Sequence, residues 1–186
     1  MLRSFVAPLV LALLAACSSP SNRLDMSPVA SNLELRALVG SAMLRTVSLP
    51  TYAAAEEIAV EIAPGIIGTD ADILWADDPE RAVTLAMTRH LDGILNATVG
   101  PDPWPFAGLP DVSIDVRVAQ MLAGADGVFR LSGQYYVGGD GIDFRNSSHR
   151  FDFAVNLEGE GTPALALAQA RAILLLSEDI ARKLGR

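Results

Sequence analysis

Three stretches in the second half of the chain alternate apolar and polar residues, and this pattern most restricts the possible fold. They cover residues 112–118, 129–137 and 151–157. Successive side chains of a β-strand point to opposite faces of a sheet, so each stretch predicts a strand with one buried face. Short segments rich in glycine, at residues 124–127 and 138–141, separate the stretches. We therefore predict an antiparallel meander of three strands.

Two further segments carry the signals of helices. Asp78-Pro79-Glu80 predicts a helix start capped by Asp78, and apolar residues at three- and four-residue spacing continue to about Asn96. A second helix is predicted from Thr162-Pro163 to Leu184, before Gly185. This second segment is apolar around most of its circumference, which is typical of a helix buried on more than one side.

Alternation also predicts three strands before the first helix, at residues 33–39, 43–49 and 57–62, and residues 73–75 add a short apolar run. The predicted order is β-β-β-α-β-β-β-α. This order favours a single α+β domain, with a mostly antiparallel sheet and two helices packed on one face. The chain has 186 residues, of which 51% are hydrophobic, and it is long enough for one well-filled domain.

The N-terminus predicts a bacterial lipoprotein signal. Residues 1–16 contain an arginine near the start, an apolar stretch over residues 5–14, and two alanines directly before Cys17, the only cysteine in the chain. The apolar stretch is too short to span a bilayer. We predict cleavage between Ala16 and Cys17 and acylation of Cys17, with palmitate among the acyl groups. The alternative is an ordinary secretory leader or a buried helix with an incidental cysteine.

The predicted signal divides the chain into three parts. Residues 1–16 are the signal peptide, residues 17–32 are the lipidated cysteine with a flexible, proline-containing tether, and residues 33–186 are the α+β domain. Fully extended, such a tether reaches roughly 40 Å at about 3.3 Å per residue. Ser18 and Ser19, and no aspartate, follow Cys17. This favours the inner leaflet of the outer membrane, with the domain facing the periplasm.

The charge balance excludes one class of partner. The chain has 14 basic and 22 acidic residues, for a formal net charge of −8, and Lys183 is its only lysine. Nucleic-acid binding requires clustered cations that neutralise phosphates, so we predict no nucleic-acid partner. Attraction of a polybasic segment to anionic lipid is equally unsupported. We therefore expect the lipid on Cys17 to hold the protein at its membrane.

No group of residues predicts catalysis. The two histidines, His90 and His149, lie in different predicted elements, and the chain has none of the common nucleophile, zinc-protease or phosphate-loop motifs. His90 shares the apolar face of the first helix, so we interpret it as a packed residue. We interpret His149, at a strand start, as a rim residue. The sequence therefore predicts a protein that is not an enzyme and has no cofactor.

Two acidic segments resemble metal sites superficially. Asp70, Asp72, Asp77 and Asp78 are close in sequence, and residues 138–143 match the first six positions of the calcium-binding β-roll repeat. Asp78 serves as the helix cap, however, and the repeat occurs once and has Arg145 where a large aliphatic residue is required. We predict exposed turns in both places and no metal site.

Five residues are candidates for contact with a protein partner. Arg117, Arg130 and Arg150 lie on the polar side of the predicted meander, where charged residues either pair across strands or form a docking surface. Trp104 and Phe106 lie in a loop that begins at residue 100 and contains several prolines, which prevent regular structure. Such aromatic residues either close the edge of the core or present a contact.

Four motifs, in this order and spacing, resemble those of the PqiC family of ABC-type transport auxiliary lipoproteins, the former DUF330 group. They follow the lipoprotein signal and are Leu49-Pro50-Thr51-Tyr52, Ile73-Leu74-Trp75-Ala76-Asp77-Asp78-Pro79, Asp115-Val116-Arg117-Val118 and Val128-Phe129-Arg130-Leu131-Ser132-Gly133-Gln134-Tyr135. The resemblance covers about residues 33–184. It implies a non-enzymatic lipoprotein that partners an MCE-domain protein, whose assembly forms a tunnel for lipids and works with an ABC transporter.

The resemblance therefore implies a docking adaptor in intermembrane lipid transport that supports membrane integrity. It also implies a ring-like homo-oligomer, which would give the apolar C-terminal helix a second surface to bury against. The alternative is a periplasmic lipoprotein that itself binds a lipid or another hydrophobic ligand. That alternative requires an apolar cavity of several hundred Å³, roughly the size of a small-molecule pocket.

Overall fold

The computed structural model describes residues 22–26, 29–139 and 144–186, except for the side chains of Asp70 and Ala71. The predicted signal peptide, Cys17 and the first part of the predicted tether lie outside the described residues. The strands are β1 (Asn22–Leu24), β2 (Ser41–Leu44), β3 (Glu57–Ala63), β4 (Ile66–Trp75), β5 (Thr98–Pro101), β6 (Val112–Ala123), β7 (Val128–Gly138) and β8 (Ser147–Asn156). The helices are α1 (Thr51–Ala54), α2 (Pro79–Ile94) and α3 (Gly161–Leu184).

The predicted meander is confirmed. Strands β6, β7 and β8 pair antiparallel, with Val116 opposite Tyr135 and Gly133 opposite Phe151. Their alternation separates two faces. The inner face is buried in the core and includes Val112, Ile114, Val116, Phe129, Leu131, Tyr135, Val137 and Phe151. The outer face carries the polar residues of the same strands.

Two smaller groups of strands share the second edge of β6. Strand β2 pairs in parallel with the start of β6, and β5 continues this group beyond β2. Strand β3 meets the end of β6 at Ala123 and pairs antiparallel with β4, which in turn pairs in parallel with β1. The predicted α+β class is confirmed. The sheet is mixed, and its longest ladders are the antiparallel ones.

Both long helices are where the sequence predicts them. The Asp78 carboxylate accepts a hydrogen bond from the backbone N–H of Arg81 at 2.8 Å, which caps α2, and Pro79 occupies its first turn. Helix α3 packs against α2, β7 and β8. Its core residues include Ala172, Ile173, Leu176, Ile180 and Leu184, all at most 1% exposed. The helices therefore close the core over the inner face of the sheet.

The strand predicted over residues 33–39 is wrong. This segment forms only isolated bridges, between Leu35 and Leu95 and between Ala37 and Gly185. Its N–H groups serve helix ends instead: Leu35 N–H donates to Ile94 O at 2.8 Å and Leu38 N–H donates to Leu184 O at 2.7 Å. The last carbonyls of a helix lack partners within the helix. The alternating segment therefore caps the C-termini of α2 and α3.

Other strand boundaries also differ from the prediction. The strand predicted over residues 43–49 ends at Leu44, after which Ser48 makes a single bridge to Arg117. The apolar run at residues 73–75 is the end of β4, which begins at Ile66 after the Pro64-Gly65 turn. Residues 98–101 form β5, which overlaps the predicted loop at Gly100 and Pro101; Pro101 is tolerated because β5 is an edge strand.

The segment predicted as tether is partly bound to the domain. Residues 22–24 form β1 and pair with Ile73, Leu74 and Trp75 of β4. The Arg23 guanidinium donates to Trp75 O at 2.9 Å and to the Glu56 carboxylate at 2.8 Å. We call residues 22–26 and 29–33 the N-terminal strap. The strap docks because unpaired backbone groups of the β4 edge accept it, a non-local cause that composition does not reveal.

Candidate docking surfaces

The predicted lipidation residue, Cys17, lies outside the described residues, as does Ala16, which precedes the predicted cleavage site. In the part of the chain that the structure describes, no helix has the length and apolarity needed to cross a membrane. The surfaces that remain for functional assignment are therefore those of the folded domain. Three of them expose residues suited to contact with another protein.

The first is the proline-rich loop between β5 and β6, residues 102–111. The Asp111 carboxylate fixes its end by accepting hydrogen bonds from the backbone N–H groups of Gly40 and Ser41, at 2.7 and 2.9 Å. The backbone N–H of Asp111 in turn donates to the Ser41 hydroxyl at 3.0 Å. The Asp102–Pro103 peptide bond is cis. The loop is therefore held to the start of β2 by a small polar network.

The aromatic residues of this loop divide between the two roles that the sequence left open. The Trp104 ring packs over Gly100 of β5 and contacts the Phe106 ring edge-on, with 4.9 Å between centroids. The buried indole N–H of Trp104 has no hydrogen-bond acceptor among the described residues. Phe106 is 50% exposed and Leu109 is 79% exposed. Trp104 thus packs against the sheet edge, while Phe106 and Leu109 present apolar surface to solvent.

The second surface is the outer face of the meander. Arg117, Gln134 and Arg150 lie opposite one another in a row across β6, β7 and β8. Arg117 binds Asp115 of its own strand at 2.9 Å, and its guanidinium lies 5.3 Å from the centroid of the Tyr136 ring. The hydrogen bond to Asp115 raises the pKa of Arg117. A shallow depression lies between these side chains.

Within the described residues, no ion pair within 4 Å joins the charged side chains of this face across its strands, although Asp152 of β8 acts electrostatically on Arg130 of β7. Arg150 has no ion pair there and borders the same depression as Arg117. Arg130 instead binds Asp126 in the β6–β7 turn, at 2.6 Å. This hydrogen bond lowers the pKa of Asp126 to about 2. The structure thus brings Arg117 and Arg150 together around Gln134 and gives Arg130 a local role in the turn.

The third surface was not predicted. Strand β3 runs past the end of β6, so the tip of the β3–β4 hairpin projects from the sheet. Ile62, Ile66 and Ile67 are 62%, 56% and 40% exposed there. The Glu61 carboxylate accepts a hydrogen bond from Gly65 N–H at 3.0 Å and so closes the turn. A signal for this surface is present in the sequence, where two short apolar runs flank Pro64-Gly65.

The two histidines occupy separate environments. His90 of α2 makes contacts at 3.3 Å with the Ser177 hydroxyl and at 3.1 Å with Val29 O of the strap. Burial lowers its pKa below 6.5. His149 of β8 stacks on the Tyr135 ring, with 4.9 Å between centroids, and contacts the Ser147 hydroxyl at 3.0 Å. Each ring thus contacts a serine hydroxyl. Ser177 is fully buried and its hydroxyl donates to Ile173 O at 2.9 Å, so a substrate cannot reach it. His149 has no further hydrogen-bond partner among the described residues that would orient its ring as a general base.

The acidic segments serve structural roles where they are described. Asp78 caps α2, and Asp77 forms an ion pair with Arg81. The described residues contain no group of three or more histidine, cysteine, aspartate or glutamate side chains placed to hold a metal ion. The side chain of Asp70 and residues 140–143 of the β-roll-like sequence lie outside the described part of the structure.

Comparisons with known proteins identify relatives of this fold. A family model described as "ABC-type transport auxiliary lipoprotein component" matches residues 25–181. A crystal structure titled as an uncharacterized protein superimposes with a TM-score of 0.71 at 16% identity, covering 90% of this chain and 100% of that chain. A Xanthomonas campestris protein assigned to DUF330 has a TM-score of 0.70 at 15% identity, covering 87% and 94% of the two chains. The search of curated proteins found no match.

Proposed function

The chain belongs to the family of ABC-type transport auxiliary lipoprotein components, and from this premise we propose that it is a membrane-anchored docking adaptor of an MCE-type lipid transport system. The family describes a transport accessory and not an enzyme class. In the proposed role the Cys17 lipid holds the domain at the inner leaflet of the outer membrane. The domain then binds an MCE-domain protein on the periplasmic side and supports the integrity of the envelope.

The proline-rich loop is the observation that supports this docking role most directly. Phe106 and Leu109 are large, exposed and apolar, yet the loop that carries them is fixed by Asp111 and by the packing of Trp104. Exposed apolar residues on a rigid element lose little conformational entropy on binding, which favours their use as interface anchors. The row formed by Arg117, Gln134 and Arg150 supplies a polar surface suited to a neighbouring contact.

A pull-down experiment tests this proposal. The lipidated protein, isolated from its own membranes in mild detergent, should recover an MCE-domain protein. The double substitution Phe106→Ala and Leu109→Ser should reduce recovery at least tenfold, because removing two side chains that the partner would bury costs about 2 kcal/mol or more. Leu38→Ser, at an exposed leucine outside the three surfaces and outside α3, is the matched control and should leave recovery unchanged. Failure of the wild-type protein to recover any MCE protein would contradict the docking role.

The anchor is tested separately. Cys17→Ala should shift the protein from the membrane fraction to the soluble periplasmic fraction, because acyl chains contribute about 0.8 kcal/mol per buried methylene. Cys17→Ser, which also lacks the thiol, should behave in the same way. Membrane retention of both variants after a high-salt wash would show that another part of the chain holds the protein at the membrane.

A further inference from the structure

A partly enclosed cavity of about 260 Å³ lies between the N-terminal strap and the two long helices. The strap contributes Met26 and residues 29–31, α2 contributes residues from Ala86 to Ile94, and α3 contributes Ala170 and Ile173. The cavity is therefore separate from all three docking surfaces. No residue of the sheet strands β2 to β8 is among those that line it.

Small residues create this space. Ala86, Gly93 and Ala170 line the helical walls, and a Cβ atom added at Gly93 would meet no heavy atom within 4 Å. The buried side chains of Ile94 and Ile173 complete the walls. A glycine near the end of a helix costs up to about 1 kcal/mol relative to alanine. Gly93 is itself exposed, so a larger side chain at this position would lie at the boundary between the cavity and solvent.

Of the polar side chains that line the cavity, Ser31 and His90 have hydrogen-bond partners and Arg89 has none among the described residues. His90 contacts Ser177 and Val29 O, and the Ser31 hydroxyl donates to the Glu178 carboxylate at 2.6 Å. Arg89 is exposed and has no ion pair among the described residues. Most of the lining side chains are apolar and Arg89 is the one cation among them, so the cavity suits an apolar occupant with an acidic group near Arg89.

The volume limits the occupant to one alkyl chain. A dry cavity of about 150 Å³ accommodates benzene, and drug-sized ligands occupy about 300 Å³ or more. At about 260 Å³ the cavity is too small for both chains of a phospholipid. We propose that it binds the alkyl chain of a single-chain anionic amphiphile, with the acidic head at Arg89. A free fatty acid and a lysophospholipid share this chemistry.

Photo-crosslinking tests the proposal on the full-length lipidated protein in phosphatidylcholine nanodiscs. The probes are dodecanoic acid and lysophosphatidylglycerol, each with a diazirine in the alkyl chain, and the neutral dodecanol analogue. We expect saturable adducts on peptides that contain Gly93, Ala170 or Met26, formed by one or both anionic probes. The probe that labels identifies the source of the ligand. A decanoic acid analogue should require about tenfold higher concentration, because two methylenes are lost.

Two substitutions make the test specific. Gly93→Leu adds a large side chain at the cavity wall and should reduce these adducts, and it favours helix formation, so the variant should fold. Arg89→Gln should raise the half-saturating concentration of the anionic probes up to about fivefold, because it removes the solvent-exposed ion pair between Arg89 and the acidic head of the probe. Arg45→Gln makes the same charge change at an exposed arginine outside the cavity and should have no effect.

Three results would overturn the proposal. The first is the absence of saturable wild-type adducts on the cavity peptides with both anionic probes. The second is undiminished labelling of a folded Gly93→Leu variant, as judged by circular dichroism. The third is equal labelling by dodecanol and dodecanoic acid, which would remove the role assigned to Arg89. Because MCE-protein recovery is measured separately, these outcomes are distinguishable from failure of the docking role.

Discussion

At the scale of single residues, Tyr135 links the meander to the C-terminal helix. Its ring is fully buried among the core strands, and its hydroxyl donates a hydrogen bond to the Asp179 carboxylate of α3 at 2.7 Å. Burial, together with this bond, raises the pKa of Tyr135 above its usual range, so the phenol stays protonated and continues to donate. One side chain thus combines apolar packing with a directed bond between two elements.

Replacing this tyrosine should measurably weaken the fold. Tyr135→Phe removes the hydroxyl and leaves Asp179 without its donor, and we expect a loss of about 2 kcal/mol, as is typical of hydrogen bonds to charged groups. The free energy of unfolding in urea measures this. Tyr136→Phe is the control, because the exposed Tyr136 hydroxyl bonds only Gln134 and its loss should stay within about 0.5 kcal/mol. Equal effects of the two substitutions would contradict the role of Tyr135.

At the scale of elements, α2 depends on a local signal at its start. The Asp78 side chain satisfies the N–H of Arg81, and Asp78→Ala should cost about 1 kcal/mol in the free energy of unfolding. Asp92→Ala removes an exposed acid near the other end of α2, where a negative charge is unfavourable, and should be neutral or slightly stabilising. A thermal or urea unfolding series measures both, and a neutral Asp78→Ala would show that the tertiary contacts alone define the helix start.

The pairing of β6 with β7 depends on a glycine. A Cβ atom at Gly133 would lie 2.3 Å from Arg117 O and 3.0 Å from Val118 Cα, next to the register shift in β6. Backbone atoms cannot move aside as a flexible side chain does. Gly133→Ala should therefore cost about 3 kcal/mol or more, at the upper end of overpacking effects.

Gly93→Ala is the matched control for this substitution. Its new methyl group enters open space in a helix, and the variant should be as stable as the wild type or up to about 1 kcal/mol more stable. Urea unfolding of the two variants and the wild-type protein makes the comparison. Similar stability of all three proteins would show that the β6–β7 ladder tolerates a side chain at Gly133.

Long elements with a local signal are predictable from the sequence, whereas short strands and long-range contacts are not. Residues 112–118 and 151–157 are long enough for alternation to define a strand, and α2 and α3 begin at local cap or proline signals. Strands β1 and β5 have three and four residues, too few for any periodicity. Residues 33–39 alternate like a strand but bond to helix ends, which only the tertiary structure brings near.

The candidate functional residues show the same difference between local and long-range signals. The irregular loop identified Trp104 and Phe106 as candidates, because prolines and aromatic residues are adjacent in sequence there, but only the structure shows that Phe106 is the exposed one. The cavity joins Met26, Gly93 and Ala170, which are far apart in sequence, and so no local pattern indicates it. The sequence predicted that Arg117 and Arg150 share the polar face of the meander. That they lie in one row through Gln134 depends on the strand register, which the sequence did not predict.

At the scale of the whole molecule, the strap joins the N-terminal region to both long helices. Burial lowers the pKa of His90, and the charge of Arg89 lowers it further. The hydrogen bond to Val29 O and the charge of Glu178 act in the opposite direction and raise the pKa. A histidine with a lowered pKa in the folded state contributes stability that is fully present above its unfolded pKa of about 6.5 and is lost as the pH falls through the folded value.

We therefore expect the free energy of unfolding to fall between about pH 7.5 and about pH 5, and part of this fall to be absent in His90→Gln, which cannot titrate in this range. Urea unfolding at several pH values measures the slope for both proteins. Identical slopes for the wild type and His90→Gln would show that protonation of His90 is not coupled to folding.

Strand β1 has a consequence for how far the domain can travel. Since Asn22 is already part of the sheet, only residues 18–21 separate Cys17 from the folded body. Five residue steps span at most about 18 Å, compared with roughly 40 Å for a free tether. With Cys17 acylated as proposed, the folded body therefore stays close to the membrane surface. It cannot search the width of the periplasm, so its partner must cover that distance and meet it at the bilayer surface.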